Sequence, residues 1–343
     1  MRKRVHIVAD DLTGALDSAA TFAARGARVR VACRPADLPE ALASGAEVIA
    51  VATGTRDGSE ARAIDVLRQV AHDLAGHDGI LFKKIDSRLK GHIGAELAQL
   101  APPDTPLVAN PAIPKLGRFC LDGAVTGAGV PDPIPVAPHI GRAISVSDAR
   151  TQEDLAAQLP AELGRTVLVG AAGLAETLAL RLWPHPAPCA PTRLELPALL
   201  AIGSRDPVTV AQIDALQAVP VLEAPNGELD PLPLPTEAPL ALVRMTAGPV
   251  PVSGAEAGAA FAKTVAKMQA RMQPATLFAC GGESAAALLE RLGIGQLDVL
   301  GELLPGVPVS RSANGQRLTL VTKSGGFGAA DTLVKLVKML TND

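Results

Sequence analysis

Tyrosine is absent from the 343 residues, and aromatic residues together make up only 2%. The stacking platforms on which single-stranded nucleic acid usually lies are therefore missing. An excess of positive charge is missing too. At a net charge of −3 there is no electrostatic case for nucleic acid or an anionic membrane as partner. Cysteine is scarce: Cys33, Cys120, Cys189 and Cys280 form no C-x-x-C pair and no metal-ligand spacing, so buried, reduced thiols are expected. No apolar run reaches about 18 residues, and the one after the basic N-terminus stops at Asp10 and Asp11; with no export signal, a cytoplasmic protein is expected. The sequence also lacks G-x-x-x-x-G-K-[ST], which excludes a P-loop, and lacks G-x-G-x-x-G after its first strand, which disfavours a dinucleotide dehydrogenase.

What is present is an alternation of strands, small-residue turns and helices. With 48% apolar and 20% charged residues over this length, about two domains with their own cores are expected. The fold class is α/β: two domains, each a mainly parallel sheet flanked by helices, with the active site in the cleft between them. Four prolines in Trp183-Pro184-His185-Pro186-Ala187-Pro188-Cys189-Ala190-Pro191 can neither pair in a sheet nor continue a helix. The domains are accordingly read as 1–183 and 198–343, joined by a linker over 184–197.

In the first half, the strand Val5–Ala9 runs straight into Asp10-Asp11-Leu12-Thr13-Gly14 and a helix. Two carboxylates thus stand at the strand edge where open α/β sheets bind ligands, although Asp11 or Thr13 also suits a helix N-cap. Further strands are expected at 29–32, 48–52, 79–83, 106–110 and 166–169, and helices at 151–163 and 171–182. Arg56 follows the strand at 48–52 and suits bidentate capture of a carboxylate or phosphate; a solvated surface charge is the other reading. After the strand at 79–83 come Lys83, Lys84, Asp86, Ser87, Arg88, Lys90 and His92 with two glycines, room enough for a small anion. The stretch from Cys120 to Pro138 reads as a hairpin or flap, and 225–239 as a proline-rich loop.

In the second half three strand-to-helix turns are built on small residues: Gly203-Ser204, Gly281-Gly282 and Gly325-Gly326. Each would offer unpaired main-chain N–H groups at a helix N-terminus, and three of them converging would make a nucleotide site. The Phe261, Val265, Met268 and Met272 stripe reads as core.

Together, Ala9-Asp10-Asp11-Leu12-Thr13-Gly14-Ala15, Lys83-Lys84-Ile85-Asp86-Ser87, Gly91-His92-Ile93-Gly94-Ala95-Glu96, Gly203-Ser204, Gly281-Gly282-Glu283-Ser284 and Lys323-Ser324-Gly325-Gly326-Phe327-Gly328 resemble the four-carbon acid sugar kinases over nearly the whole chain. The resemblance implies ATP-dependent phosphorylation, with Mg²⁺, of D-threonate, D-erythronate or 3-oxo-tetronate at the terminal hydroxyl. It places substrate contacts on Asp11 or Asp10, Arg56 and the run Lys84, Ile85, Asp86 and Ser87. An Asp of the first turn would orient or deprotonate the attacking hydroxyl. ATP contacts fall on Ser204, on Gly281, Gly282, Glu283 and Ser284, and on Gly325, Gly326, Phe327 and Gly328. Metal ligands are left open between Glu283 and Asp331, and a homodimer is a possibility. Asp206 departs from the family pattern, standing where a second small hydroxyl residue is expected, and the stretch from the 220s to the 240s is shorter. A non-catalytic sensor of a sugar acid or nucleotide is the alternative, disfavoured because no DNA-binding module or effector helix is evident.

Overall fold

The computed structural model describes residues 4–185, 192–216, 219–231 and 239–341. The chain divides into two compact units, Met1–Cys189 and Ala190–Asp343. Part of the expected linker (186–191) and part of the expected proline-rich loop (232–238) lie outside the described residues.

The first unit opens with β1 (Val5–Ala9), α1 (Leu12–Ala23), β2 (Val29–Ala32), α2 (Leu38–Ala43), β3 (Val48–Ala52), α3 (Glu60–Leu74) and β4 (Ile80–Lys84). It continues through α4 (Ile93–Leu100), β5 (Leu107–Asn110), β6 (Arg118–Leu121), β7 (Ala124–Gly127), β8 (Val130–Pro135), α5 (Ala137–Ile140), α6 (Gln152–Gln158), β9 (Val167–Gly170) and α7 (Ala172–Leu182). Six strands pair in parallel in the order β2-β3-β1-β4-β9-β5, while β6, β7 and β8 form a separate antiparallel sheet. All five residues of β1 and of β3 are buried, as covered parallel strands require, and this is why their sequences are unbroken apolar runs. Val8, Ile49, Val51, Leu38, Leu67 and Val70 are core residues on one side of the sheet.

The second unit contains β10 (Ala198–Ile202), α8 (Pro207–Asp214), β11 (Val221–Pro225), β12 (Leu240–Thr246), α9 (Gly254–Met272), β13 (Thr276–Cys280) and α10 (Gly282–Arg291). It closes with β14 (Gln296–Leu304), β15 (Val307–Ser312), β16 (Thr319–Lys323) and α11 (Thr332–Thr341). Its strand order is β11-β12-β10-β13-β16-β15-β14, parallel from β11 to β16, with β15 antiparallel to both its neighbours. Leu333, Leu336 and Leu340 of α11 pack with Leu200, Phe278 and Val321 of the sheet. The stripe on α9 is core as read, since Phe261, Val265, Met268 and Met272 are all buried.

Two local readings need correction. The helix expected at 151–163 stops at Gln158, because Pro160 removes an N–H donor and pushes Leu159 to an extended conformation. Strand β4 runs one residue further than the 79–83 read, so Lys84 is a strand-terminal buried residue, as Lys323 is at the end of β16. The hairpin β14–β15 and the strands β11 and β12 also go beyond the elements read from the sequence. Among the described residues no helix is long and apolar enough to cross a membrane.

Candidate active site

In the first unit, chemistry gathers at the C-terminal ends of β1, β3 and β4. The chain reverses across the sheet at β1, with β2 and β3 on one side and β4 on the other, which makes this edge the switch point of an open α/β sheet. Arg56 donates to both oxygens of Asp10, from Nε at 2.9 Å and from Nη2 at 2.7 Å, and its Nη2 also reaches Asp11 Oδ1 at 2.8 Å. Asp11 is at the same time the N-cap of α1, accepting from Gly14 N at 2.9 Å and from the Thr13 hydroxyl at 2.6 Å. Both readings of Asp11, cap and member of a charged cluster, hold at once. Burial pushes the Asp10 carboxyl up, but the Arg56 charge and hydrogen bonds, with Lys83 and Lys84, hold it below the ordinary carboxylate value. Burial works against the Arg56 charge in turn, and Asp11 and Asp10 outweigh it and raise its pKa.

Lys84 reaches the same turn. A Cβ on Gly14 would lie 2.9 Å from Lys84 Nζ and 2.5 Å from Asp11 Oδ1, so glycine is needed for the ammonium to approach. Lys84 also donates to Ile85 O at 2.9 Å. The neighbouring Lys83 faces the other way, into a buried ion pair with Glu96 of α4 at 2.5 Å. Glu96 accepts from Thr55, which shares a hydrogen bond with Thr53, and Thr53 bonds to Ala9 O. This chain ties β1, β3, β4 and α4 together beneath Arg56. Of the remaining expected substrate contacts, Ile85 has a fully buried side chain, and its main chain is engaged within the fold, the N–H donating to Gly170 O at 3.0 Å and the carbonyl accepting from Lys84 Nζ. Asp86 shapes the loop by accepting from Arg88 N at 2.8 Å. Ser87 accepts from Arg118 Nη1 at 2.5 Å.

In the second unit the three glycine turns meet. A Cβ on Gly203 would lie 2.0 Å from Ser284 Oγ, one on Gly281 would lie 3.2 Å from Ser204 N, and one on Gly325 would lie 2.1 Å from Ser204 Oγ. Ser204 is therefore the hub onto which the turns after β13 and β16 close. Gly281 caps α10 at φ 102° without a side-chain hydrogen bond, leaving first-turn N–H groups for an anion. Asp206, the residue that departs from the family pattern, is the N-cap of α8, accepting from Val208 N at 2.9 Å. It also flanks the cradle, 3.3 Å from where a Cβ on Gly326 would lie. Phe327 packs close to Gly306 of the β14–β15 hairpin, and Gly328 at φ 93° lets Gln212 and Thr332 close in. Asp331 pairs with Lys335 one helical turn on, at 2.9 Å, as a helix-start acid does.

The residue that holds this cradle together was not singled out by sequence reading. Lys323 is fully buried, and its ammonium lies within hydrogen-bond distance of Thr209 Oγ1 and the carbonyls of Ser324, Gly325 and Phe327, at 3.0, 3.0, 3.2 and 3.0 Å. Burial lowers its pKa, with Cys280 and Asp206 opposing the shift. Gln212 binds the carbonyls of Phe327 and Ala329 from the other side. The available signal was a lysine closing an otherwise apolar strand directly before a glycine run. Beside the cradle, at the ends of β11 and β12, lies a cleft of about 400 Å³ lined by Pro225, Asn226, Glu228, Asp230, Pro249, Val250 and Val252. Phe261 links the two: it is 2.9 Å from a Cβ on Gly227 and 3.4 Å from one on Gly203. Among the described residues no group of three or more His, Cys, Asp or Glu side chains is placed to hold a metal ion.

Comparison with known proteins matches both halves. Residues 5–139 match a sugar-binding N-terminal domain and residues 243–333 a nucleotide-binding C-terminal domain. A D-threonate kinase from Bordetella bronchiseptica is 27% identical, covering 98% of this chain and 97% of that one. A 3-oxo-tetronate kinase from Methylobacterium radiotolerans is also 27% identical, covering 97% of this chain and 98% of its own. A solved structure from Salmonella typhimurium LT2 aligns with a TM-score of 0.75 at 18% identity over 98% of this chain and 99% of the other, a likeness of fold alone. With the two domain types in this order and relatives aligned end to end, the chain belongs to the four-carbon acid sugar kinase family.

Proposed function

We propose that the protein is an ATP-dependent kinase that phosphorylates the terminal hydroxyl of a four-carbon sugar acid such as D-threonate, D-erythronate or 3-oxo-tetronate. The observation that carries this reading is the closure of three glycine turns around Ser204, because main-chain N–H groups at strand-to-helix junctions bind a polyphosphate chain. Ser204, Gly281 to Ser284 and Gly325 to Gly328 hold the phosphates. The base and ribose follow the same sheet edge into the cleft at β11 and β12, whose size suits a small ligand. There Pro225, Pro249 and the exposed Val250 and Val252 supply apolar walls, and Asn226, Glu228 and Asp230 supply polar groups.

The sugar acid binds at the strand ends of the first unit, against Asp11, the strand-terminal Lys84 and the loop from Ile85 to Ser87. Asp11 orients the attacking hydroxyl and takes its proton. Both carboxylates accept hydrogen bonds within the unit, but the Asp11 side chain is 16% exposed where that of Asp10 is 2% exposed. Transfer of the γ-phosphoryl group then needs alignment and charge neutralisation more than covalent chemistry. Mg²⁺ would be carried mainly by the phosphates, as a cation that keeps few protein ligands. Asp206 and Glu283, at the rim of the cradle, are the carboxylates that would complete its shell; bound there, Mg²⁺ offsets charge on the transferring group.

The test is ADP release from ATP and Mg²⁺ across a panel of four-carbon acids. At least one acid should be turned over by the wild type, and Asp11→Asn should lower kcat by roughly 100-fold or more. An ATP-dependent thermal shift with no ADP formed on any acid would favour a sensor instead.

A further inference from the structure

Arg56 is poorly suited to the role that a guanidinium at a strand end first invites. Three of its five N–H donors are spent on Asp10 and Asp11. A substrate carboxylate arriving there would be the third on one guanidinium, and like charges at that range repel. A second arginine in the same unit has the opposite surroundings. Arg118, the first residue of β6, is 9% exposed, and its partners are all neutral: Ala128 O accepts from Nε at 3.0 Å and from Nη2 at 2.8 Å, and Ser87 Oγ accepts from Nη1 at 2.5 Å. Among the described residues no carboxylate lies within ion-pair distance of it. Two N–H bonds remain, one on each terminal nitrogen, donors that suit a carboxylate. Burial disfavours the Arg118 charge and neighbouring Arg88 adds to this, with only Asp86 opposing. A buried guanidinium without a counter-ion is costly, and an arriving anion relieves that cost.

The small antiparallel sheet is shaped around this side chain. The turn from β7 to β8 is Gly127-Ala128-Gly129, with φ of 95° at Gly127 and 72° at Gly129. A Cβ on Gly127 would lie 2.2 Å from Gly117 O, and one on Gly129 would lie 3.1 Å from Arg118 Nη2. Only glycine at both places lets the turn press Ala128 O onto the guanidinium, which in turn fixes it against Ser87. Ser87 sits in the loop that directly follows Lys84.

We propose that Arg118, fixed by Ala128 and Ser87, captures the carboxylate of the acid substrate, and that Arg56 is a positioning residue that orients Asp10 and Asp11. The assignment rests on the kinase reading and adds the group that tells an acid from a neutral polyol. It is tested by steady-state kinetics with a four-carbon acid that the wild type accepts and with the primary amide of that acid, which keeps the hydroxyls and loses the charge. Wild type should prefer the acid. Arg118→Gln should raise the KM for the acid by roughly 100-fold while leaving the KM for the amide and for ATP within about threefold, so that the preference collapses. Arg118→Lys should keep part of it. Arg56→Gln should lower kcat for both substrates and keep the preference. Thermal unfolding and ADP binding of each variant report on its fold. Equal loss of acid and amide in Arg118→Gln, as from a merely structural clamp, would overturn the proposal, as would loss of the preference in Arg56→Gln. A wild type that neither binds nor turns over any four-carbon acid would overturn the kinase reading itself, and this assignment with it.

Discussion

Asp17 and His6 are both buried in the first unit, and protonation of the two pulls stability in opposite directions as pH changes. Burial raises the Asp17 pKa to about 6; Lys84 opposes the shift, and Asp11 and Glu176 add to it. Between about pH 4 and 6 the folded chain keeps a proton that the unfolded chain has released, so this contribution declines as pH rises through that window. Burial lowers the His6 pKa to about 4, helped by His77 and Arg4. Between about pH 4 and 6.5 the unfolded chain holds a proton that the folded chain refuses, so this contribution grows with pH. Each effect is on the order of 3 kcal/mol at most, and the two largely cancel in the wild type. Asp17→Asn removes only the declining one. Urea unfolding should therefore find the variant equal to wild type near pH 4 and more stable by about 1 to 3 kcal/mol near pH 7.5. A variant no more stable than wild type at the higher pH would show that the Asp17 carboxylate is not penalised by its burial.

The elements that carry the candidate site are strand-to-helix turns, and their close packing makes them sensitive to single methyl groups. In Gly203→Ala the new Cβ would lie 2.4 Å from Ser284 Cβ, which no side-chain rotation relieves. The turn after β13 must shift, at a cost of about 1 to 3 kcal/mol of packing. The KM for ATP should rise about tenfold or more while the KM for the acid stays unchanged; an unchanged KM for ATP would mean that this turn does not hold the phosphates. These turns were legible because glycine after an apolar strand is a strong local signal, and so was the pair Asp10-Asp11. What was not legible is explained by distance along the chain and by weak patterning. Ser87 and Ala128 lie 31 and 10 residues from Arg118, so the clamp exists only after folding. Strand β11 is a half-exposed edge strand ending in Pro225, without the apolar run that marks the central strands. The role of Lys323 was hidden because a lysine at a strand end reads equally well as a surface charge.

At the scale of the whole molecule, both units use one solution twice. Their first four parallel strands lie in the same order, β2-β3-β1-β4 in one and β11-β12-β10-β13 in the other, so each has its reversal point beside its first strand. In each unit the candidate site falls there: acids and basic groups after β1 and β4, glycines after β10 and β13. The alternation of apolar strands and helices was enough to give this architecture from the sequence, because parallel strands buried on both faces leave continuous apolar runs. The proposed division of labour, a polar acid in one unit and polyphosphate in the other, rests on which residue types stand at the two edges. Its most direct test is ³¹P NMR of the full chain with ATP, Mg²⁺ and a four-carbon acid. A new phosphomonoester on the terminal carbon, formed one for one with ADP, is the expected spectrum. ADP accompanied only by inorganic phosphate, or an ester on any other carbon, would contradict it.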